Sequence, residues 1–179
     1  MKHSNTYLAT AVDMFFKKYH PEYRLATQLD LEQDLDFTKG TYSDSGLALR
    51  NLIGANKEQA EYIFEQLKKR GNKIEEFPIW LNLRGLELTK DLNFDLTDES
   101  FYKTAECLNW DSGTRFSRIN DFGLPKERDS SSVRQIWADK NYALSSCYLG
   151  RNSGLDSSYS VLSLSFDCGR VVLAKPRSG

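Results

Sequence analysis

The sequence predicts an α+β fold, with N-terminal helices around a small, mostly antiparallel sheet and a C-terminal β-meander after them. Three observations carry that expectation. Segments 5–19 and 56–70 repeat apolar residues at helical spacing. Segments 29–37 and 79–97 alternate apolar and polar residues at the period of a strand. Beyond residue 109 helical periodicity vanishes, while serine and short apolar runs persist. The 179 residues, 40% hydrophobic and 27% charged, suit one ordinary domain or two small ones.

In 5–19 the stripe is Leu8, Val12, Phe15 and Tyr19, with Ser4 or Asn5 as cap and Pro21 as stop. Residues 29–37 read as a strand. Leu29, Leu31, Leu35 and Phe37 fall on one face, and Asp30, Glu32, Asp34 and Asp36 on the other. A short helix is expected around Leu47, Leu49, Leu52 and Ile53, ending at Gly54. A second helix comes next, with Asn56 as N-cap, Gln59 as its capping-box partner and Gly71 as its stop. Its buried stripe is Ala60, Ile63, Phe64 and Leu67. Strands over 74–97 turn at Arg84-Gly85, and Leu92, Phe94 and Leu96 alternate with Asp91, Asn93 and Asp95. Residues 98–108 read as a short helix. The change of character near 109 divides a mixed part, 1–108, from a β-rich part, 109–179, the two sharing one core. Charge turns with it: residues 1–104 carry 14 basic and 17 acidic side chains, residues 105–179 carry 10 and 8. Strands are expected at 133–138, 142–149, 159–167 and 170–175, with Leu162, Leu164 and Phe166 facing inward.

A formal net charge of −1 excludes a protein that is basic all over. No apolar run is long enough for a secretory h-region or a membrane span. Cys107, Cys147 and Cys168 are widely spaced and read as free thiols, so a cytoplasmic location and no membrane partner are expected. Metal-ligand spacings, phosphate-binding glycine loops and hydrolase signatures are absent, so no metal and no cofactor are expected. Catalytic residues stay unassigned, and the expectation is a protein that is not an enzyme. The Cys147–His20 pairing stays open, because spatial neighbours need not be close in sequence. Trp110, Trp137, Tyr142 and Tyr148 read as aromatic core beside ordinary surface arginine.

The acidic strand face is the most unusual feature. Alternate strand residues stand ~7 Å apart, so Asp30, Glu32, Asp34 and Asp36 make a row, extended by Asp91 and Asp95 if their strand lies adjacent. Like charges so arranged repel. The expected role is an inhibitor or immunity-like protein, of viral or mobile-element origin, that occludes a basic surface on a partner protein. That partner can itself be a nucleic-acid-binding protein.

Residues 46–89 offer an alternative. A short helix, a turn at Gly54-Ala55, a longer helix and a β-hairpin succeed one another in order. With Leu49-x-x-Leu52-x-Gly54-Ala55 and Ile63-x-x-x-Leu67-x-x-Arg70-Gly71, this segment resembles winged-helix DNA-binding domains. The resemblance implies a nucleic-acid contact through Lys57, Lys68, Lys69, Arg70 and Lys73, opposed by Glu58, Glu61 and Glu65 on the same helix. Farther on, Trp110, Asn120-Asp121-Phe122-Gly123-Leu124-Pro125, Arg128, Ser145-Ser146 and Leu164-Ser165-Phe166-x-x-Gly169-Arg170-Val171 stand in an order similar to some C-type-lectin-like bacterial surface domains. The strand that closes those domains is missing. A second alternative is a small hydrolase or transferase without familiar motifs, which requires a concave pocket with convergent polar groups.

Overall fold

The computed structural model describes residues 2–71, 76–150 and 154–175. Helix α1, Thr6–Tyr19, starts where the Asn5 side chain accepts the Leu8 N–H at 2.8 Å and buries Ala9 and Val12. After β1, Arg24–Leu25, comes the short helix α2, Gln28–Glu32, and a 3₁₀ turn, Leu35–Thr38. Strand β2, Tyr42–Leu49, is buried along its whole length. Helix α3, Lys57–Lys69, buries Ala60, Ile63 and Leu67 completely. At ~1.5–3 kcal/mol for each large aliphatic side chain, that stripe fixes the helix on the sheet. Next come strands β3 (Ile79–Asn82), β4 (Leu86–Leu88), β5 (Phe94–Leu96) and β6 (Tyr102–Thr104), then a 3₁₀ turn at Glu106–Asn109. The second half holds β7 (Phe116–Ile119), β8 (Pro125–Arg128), β9 (Ile136–Ala138), β10 (Leu144–Gly150), β11 (Gly154–Ser157) and β12 (Leu173–Ala174).

The architecture is α+β. Six strands form the central sheet in the order β6-β3-β2-β10-β11-β9, with β9 and β11 parallel and every other pair antiparallel. Three two-stranded sheets, β1-β12, β4-β5 and β7-β8, flank it. Leu47, Leu49, Leu81 and Leu144 pack against α1 and α3 on one face. Ala48, Trp80 and Cys147 pack against Leu108, Phe116 and Ile136 on the other.

Several elements differ from expectation, each for a physical reason. Residues 29–37 are not a strand. Thr27 caps α2 through a capping box in which Asp30 is the reciprocal partner, so one of the four carboxylates behind the apparent alternation is a capping group. Residues 46–53 are not a helix, because Leu47 and Leu49 belong to β2, which is covered on both faces and so carries no clean alternation. That removes the first helix of the winged-helix order. Asn56 starts α3 in the left-handed conformation and caps nothing. Its amide donates to the Leu144 carbonyl at 2.8 Å and the Ser160 carbonyl at 2.5 Å, while Gln59 donates to the Tyr7 hydroxyl. Residues 98–108 hold β6 and a 3₁₀ turn in place of an α-helix. Residues 159–167 are irregular backbone with turns at 162–163 and 167, not a strand, with Leu162 buried and Phe166 exposed. The second half is no simple meander, since β9 runs parallel to β11 and β7-β8 forms its own hairpin.

Candidate binding cleft

The carboxylates of 30–36 do not form a row. Asp30 takes the Arg24 guanidinium on both oxygens and also accepts the Thr27 N–H and hydroxyl. Burial pushes its carboxyl up, but those partners outweigh it and hold the group down at about 2. Glu32 points inward and accepts Arg134 at 2.7 Å on each oxygen. Burial raises its pKa against the opposing pull of Arg134 and Gln28. Asp34 is exposed where the 3₁₀ turn begins, and Asp36 pairs with Lys39 at 2.8 Å. Asp95 lies on the separate β4-β5 sheet and accepts the Tyr62 hydroxyl, with Asp91 exposed in the turn before it. Helix placement and separate ion pairs thus divide the expected anionic face.

The basic set is divided as well. Lys57 pairs with Glu61 and Lys68 with Glu65, while Arg70 donates to the Thr97 and Leu96 carbonyls. Lys69 is exposed. Lys73, with the opening of segment 74–97, lies outside the described residues. Cys147 is fully buried, and burial pushes its thiol far above the ordinary cysteine range. Among the described residues no three His, Cys, Asp or Glu side chains gather as a metal site, and no helix is long and apolar enough to cross a membrane.

What the structure does assemble is an aromatic cleft at the β10–β11 end of the sheet. It begins with a bulge. Gly46 faces Cys147 and Asp44 faces Tyr148, so Ser45 is the extra residue in β2. The bulge reverses the pleat of β2 and turns Tyr42 and Asp44 toward the face that Tyr148 occupies. Register does the rest. Trp137, Asp156, Tyr148 and Asp44 are successive neighbours across β9, β11, β10 and β2. In the next row Gly150 stands between Gly154 and Tyr42. A Cβ on Gly150 would lie 2.8 Å from the Tyr42 Cα, so only glycine lets that ring close over the strand.

The segment 159–166 supplies the far wall. The Phe166 N–H donates to the Tyr42 hydroxyl at 3.0 Å, and that hydroxyl donates to the Ser4 carbonyl at 2.8 Å. The Ser146 N–H donates to the Tyr159 carbonyl at 3.2 Å. Four rings are then neighbours in turn. Centroids lie 4.9 Å apart for Tyr42–Tyr148, 6.0 Å for Tyr148–Tyr159, 6.3 Å for Tyr159–Phe166 and 6.3 Å for Phe166–Tyr42. With Trp137, Gly150, Gly154 and Asp156 they line a cleft of about 350 Å³.

Two carboxyls serve this region. Asp156 accepts the Tyr148 hydroxyl at 2.8 Å and the Ser158 N–H and hydroxyl at 2.9 and 2.7 Å, which fixes its orientation. Asp44 lies beneath the rings, beside a void of about 10 Å³. Ser4 donates its hydroxyl to the Asp44 carboxyl at 2.5 Å, and burial pushes that carboxyl up to about 7. Of these groups, the sequence singles out Trp137 and Tyr148 as core aromatics and Phe166 as an inward-facing strand residue, which the structure leaves 43% exposed. Trp137 is likewise 46% exposed. The other rings stand at positions 42 and 159, too far apart in the chain for spacing to unite them. Compared with protein-family models, with curated proteins and with solved structures, the chain matches none of them.

Proposed function

We propose that this chain is a binding protein that recognises its partner by seating one group of that partner in the aromatic cleft. The observation that carries the proposal is a set of four neighbouring aromatic rings that together line an open cleft of about 350 Å³. Aromatic rings bury large area at little entropic cost, so they anchor recognition efficiently. Phe166 and Trp137 remain 43% and 46% exposed on the same rim, apolar surface that a ligand would cover. Asp156 is the one charged group among the described lining residues, and its hydrogen bonds to Tyr148 and Ser158 suit positioning better than proton transfer. The volume suits a small molecule or a single side chain.

One observation favours a second reading, an acid–base enzyme using Asp44 and Asp156. Asp44 holds its proton near neutrality, as a general acid must. Its burial, with 3% of its surface exposed, opposes that reading, since a general acid must reach its substrate. A ligand-observed NMR screen of small fragments, run on the native protein and on the Tyr159→Ala/Phe166→Ala variant, tests the binding proposal. Hits lost in the variant support it. Hits that survive, or a screen with none, overturn it.

A further inference from the structure

We infer that the group seated in the cleft is a compact alkylated ammonium, of the trimethylammonium kind, held by cation–π contact with Tyr42, Tyr148, Tyr159 and Phe166. This rests on the cleft's being the binding site and goes on to name its ligand chemistry. Four features of the site agree on it.

The first is shape. Adjacent rings are inclined to one another by 54° (Tyr42–Tyr148), 41° (Tyr148–Tyr159), 73° (Tyr159–Phe166) and 76° (Phe166–Tyr42). No two adjacent rings are coplanar, so a flat base or sugar face would find no shared platform among them. A charge held over the middle of a perimeter with sides of 4.9–6.3 Å lies within roughly 6 Å of all four centroids, the range of a cation–π contact.

The second is charge. Among the described lining residues no lysine, arginine or histidine appears, and Asp156 contributes a negative charge. Against these residues a phosphate or carboxylate would meet like charge at Asp156, and a cation would meet its complement.

The third is the supply of hydrogen-bond acceptors. A primary ammonium carries three donors that all need partners. The Tyr42 hydroxyl is engaged by the Ser4 carbonyl and the Phe166 N–H, and the Asp156 oxygens by Tyr148 and Ser158. The walls therefore suit a cation whose surface is methyl groups. The fourth is electronic. The Tyr148 phenol donates to the Asp156 carboxylate, which draws electron density into the ring and strengthens the negative π-face that a cation meets.

Calorimetric titration of the whole chain with choline, and separately with 3,3-dimethylbutanol, its neutral isostere, tests the inference. Choline should bind about tenfold more tightly or better, because the two differ only in charge. The Phe166→Leu variant keeps apolar bulk but lacks a π-face, so it should lose about five- to tenfold for choline and little for the alcohol. The Asp156→Asn variant should lose a similar factor for choline alone. Circular dichroism and thermal melts are to show that each variant is folded, and Phe166, 43% exposed, has little buried area to lose. A parallel titration with free trimethyllysine identifies the source of the headgroup. Tighter binding of choline marks a small molecule, tighter binding of trimethyllysine marks a protein side chain, and either supports the inference. Equal binding of choline and the alcohol overturns it, as does failure of both choline and trimethyllysine to bind while fragments still occupy the cleft. In both cases the cleft remains a binding site. Failure of fragments and choline together overturns the proposed function itself.

Discussion

Replacing Asp44 with asparagine should stabilise the protein at pH 8 and change it little at pH 4. Burial raises the folded-state pKa of this carboxyl from 3.8 to about 7. Between those values the unfolded chain releases the proton and the folded chain keeps it. The folded state then binds more protons, so stability falls as pH rises through that window and levels off above it. Each pH unit is worth ~1.4 kcal/mol, so the whole interval amounts to ~4 kcal/mol. Asparagine has the same shape and no charge, and Ser4 can still donate to its side-chain oxygen. Every other titrating group is common to both chains and cancels in the difference. Urea denaturation of the native protein and the variant at several values from pH 4 to pH 8 measures it. A gap that widens in favour of the variant between pH 4 and 7, then stays constant, is the expected result. A gap independent of pH, or a native protein that is the more stable at pH 8, would refute the assignment of a buried neutral carboxyl.

Arg134→Met should cost about 3–5 kcal/mol in denaturant unfolding, because it strands the Glu32 carboxylate, whose side chain is 1% exposed. The double variant with Glu32→Gln should recover much of that loss. Gly150→Ala should cost ~1–3 kcal/mol in the same assay and abolish cleft binding, since the added methyl collides with Tyr42. In the native protein a thiol reagent should modify Cys168 and spare Cys107 and Cys147, whereas all three should react in denaturant; burial pushes the Cys107 thiol up to about 12. Thermal melts between pH 4 and pH 2 should show stability lost as the Asp30 carboxyl, held at about 2 when folded, takes up a proton; Asp30→Asn should flatten that limb.

The elements legible in the sequence are those whose environment is one-sided. Helices α1 and α3 each bury a single stripe, and the β4-β5 hairpin alternates because one of its faces meets water. Strand β2 is opaque for two reasons. It is covered on both faces, and the extra residue Ser45 breaks what alternation remains. Segment 29–37 misleads because Asp30 and Glu32 are structural groups, one capping α2 and the other neutralising Arg134. Their charge resembles surface because spacing says nothing about partners. The cleft leaves no local trace, since its rings come from positions 42, 137, 148, 159 and 166 and meet only through strand register.

The strand order has a consequence for the chain as it emerges from the ribosome. The three strands nearest one edge come from the first 108 residues and the other three from residues beyond 108, joined by seven β2–β10 residue pairs. When residue 108 has been made, β2 already has β3 on one side and nothing on the other. Its free edge waits for a partner some 95 positions downstream, the separation of Leu49 from Leu144. Long-range closure of this kind is slow, and an open apolar edge invites other chains in the interval. The nascent protein is therefore most vulnerable to aggregation in the interval between the making of β2 and the making of β10, and a chaperone that shields one strand edge would protect it best.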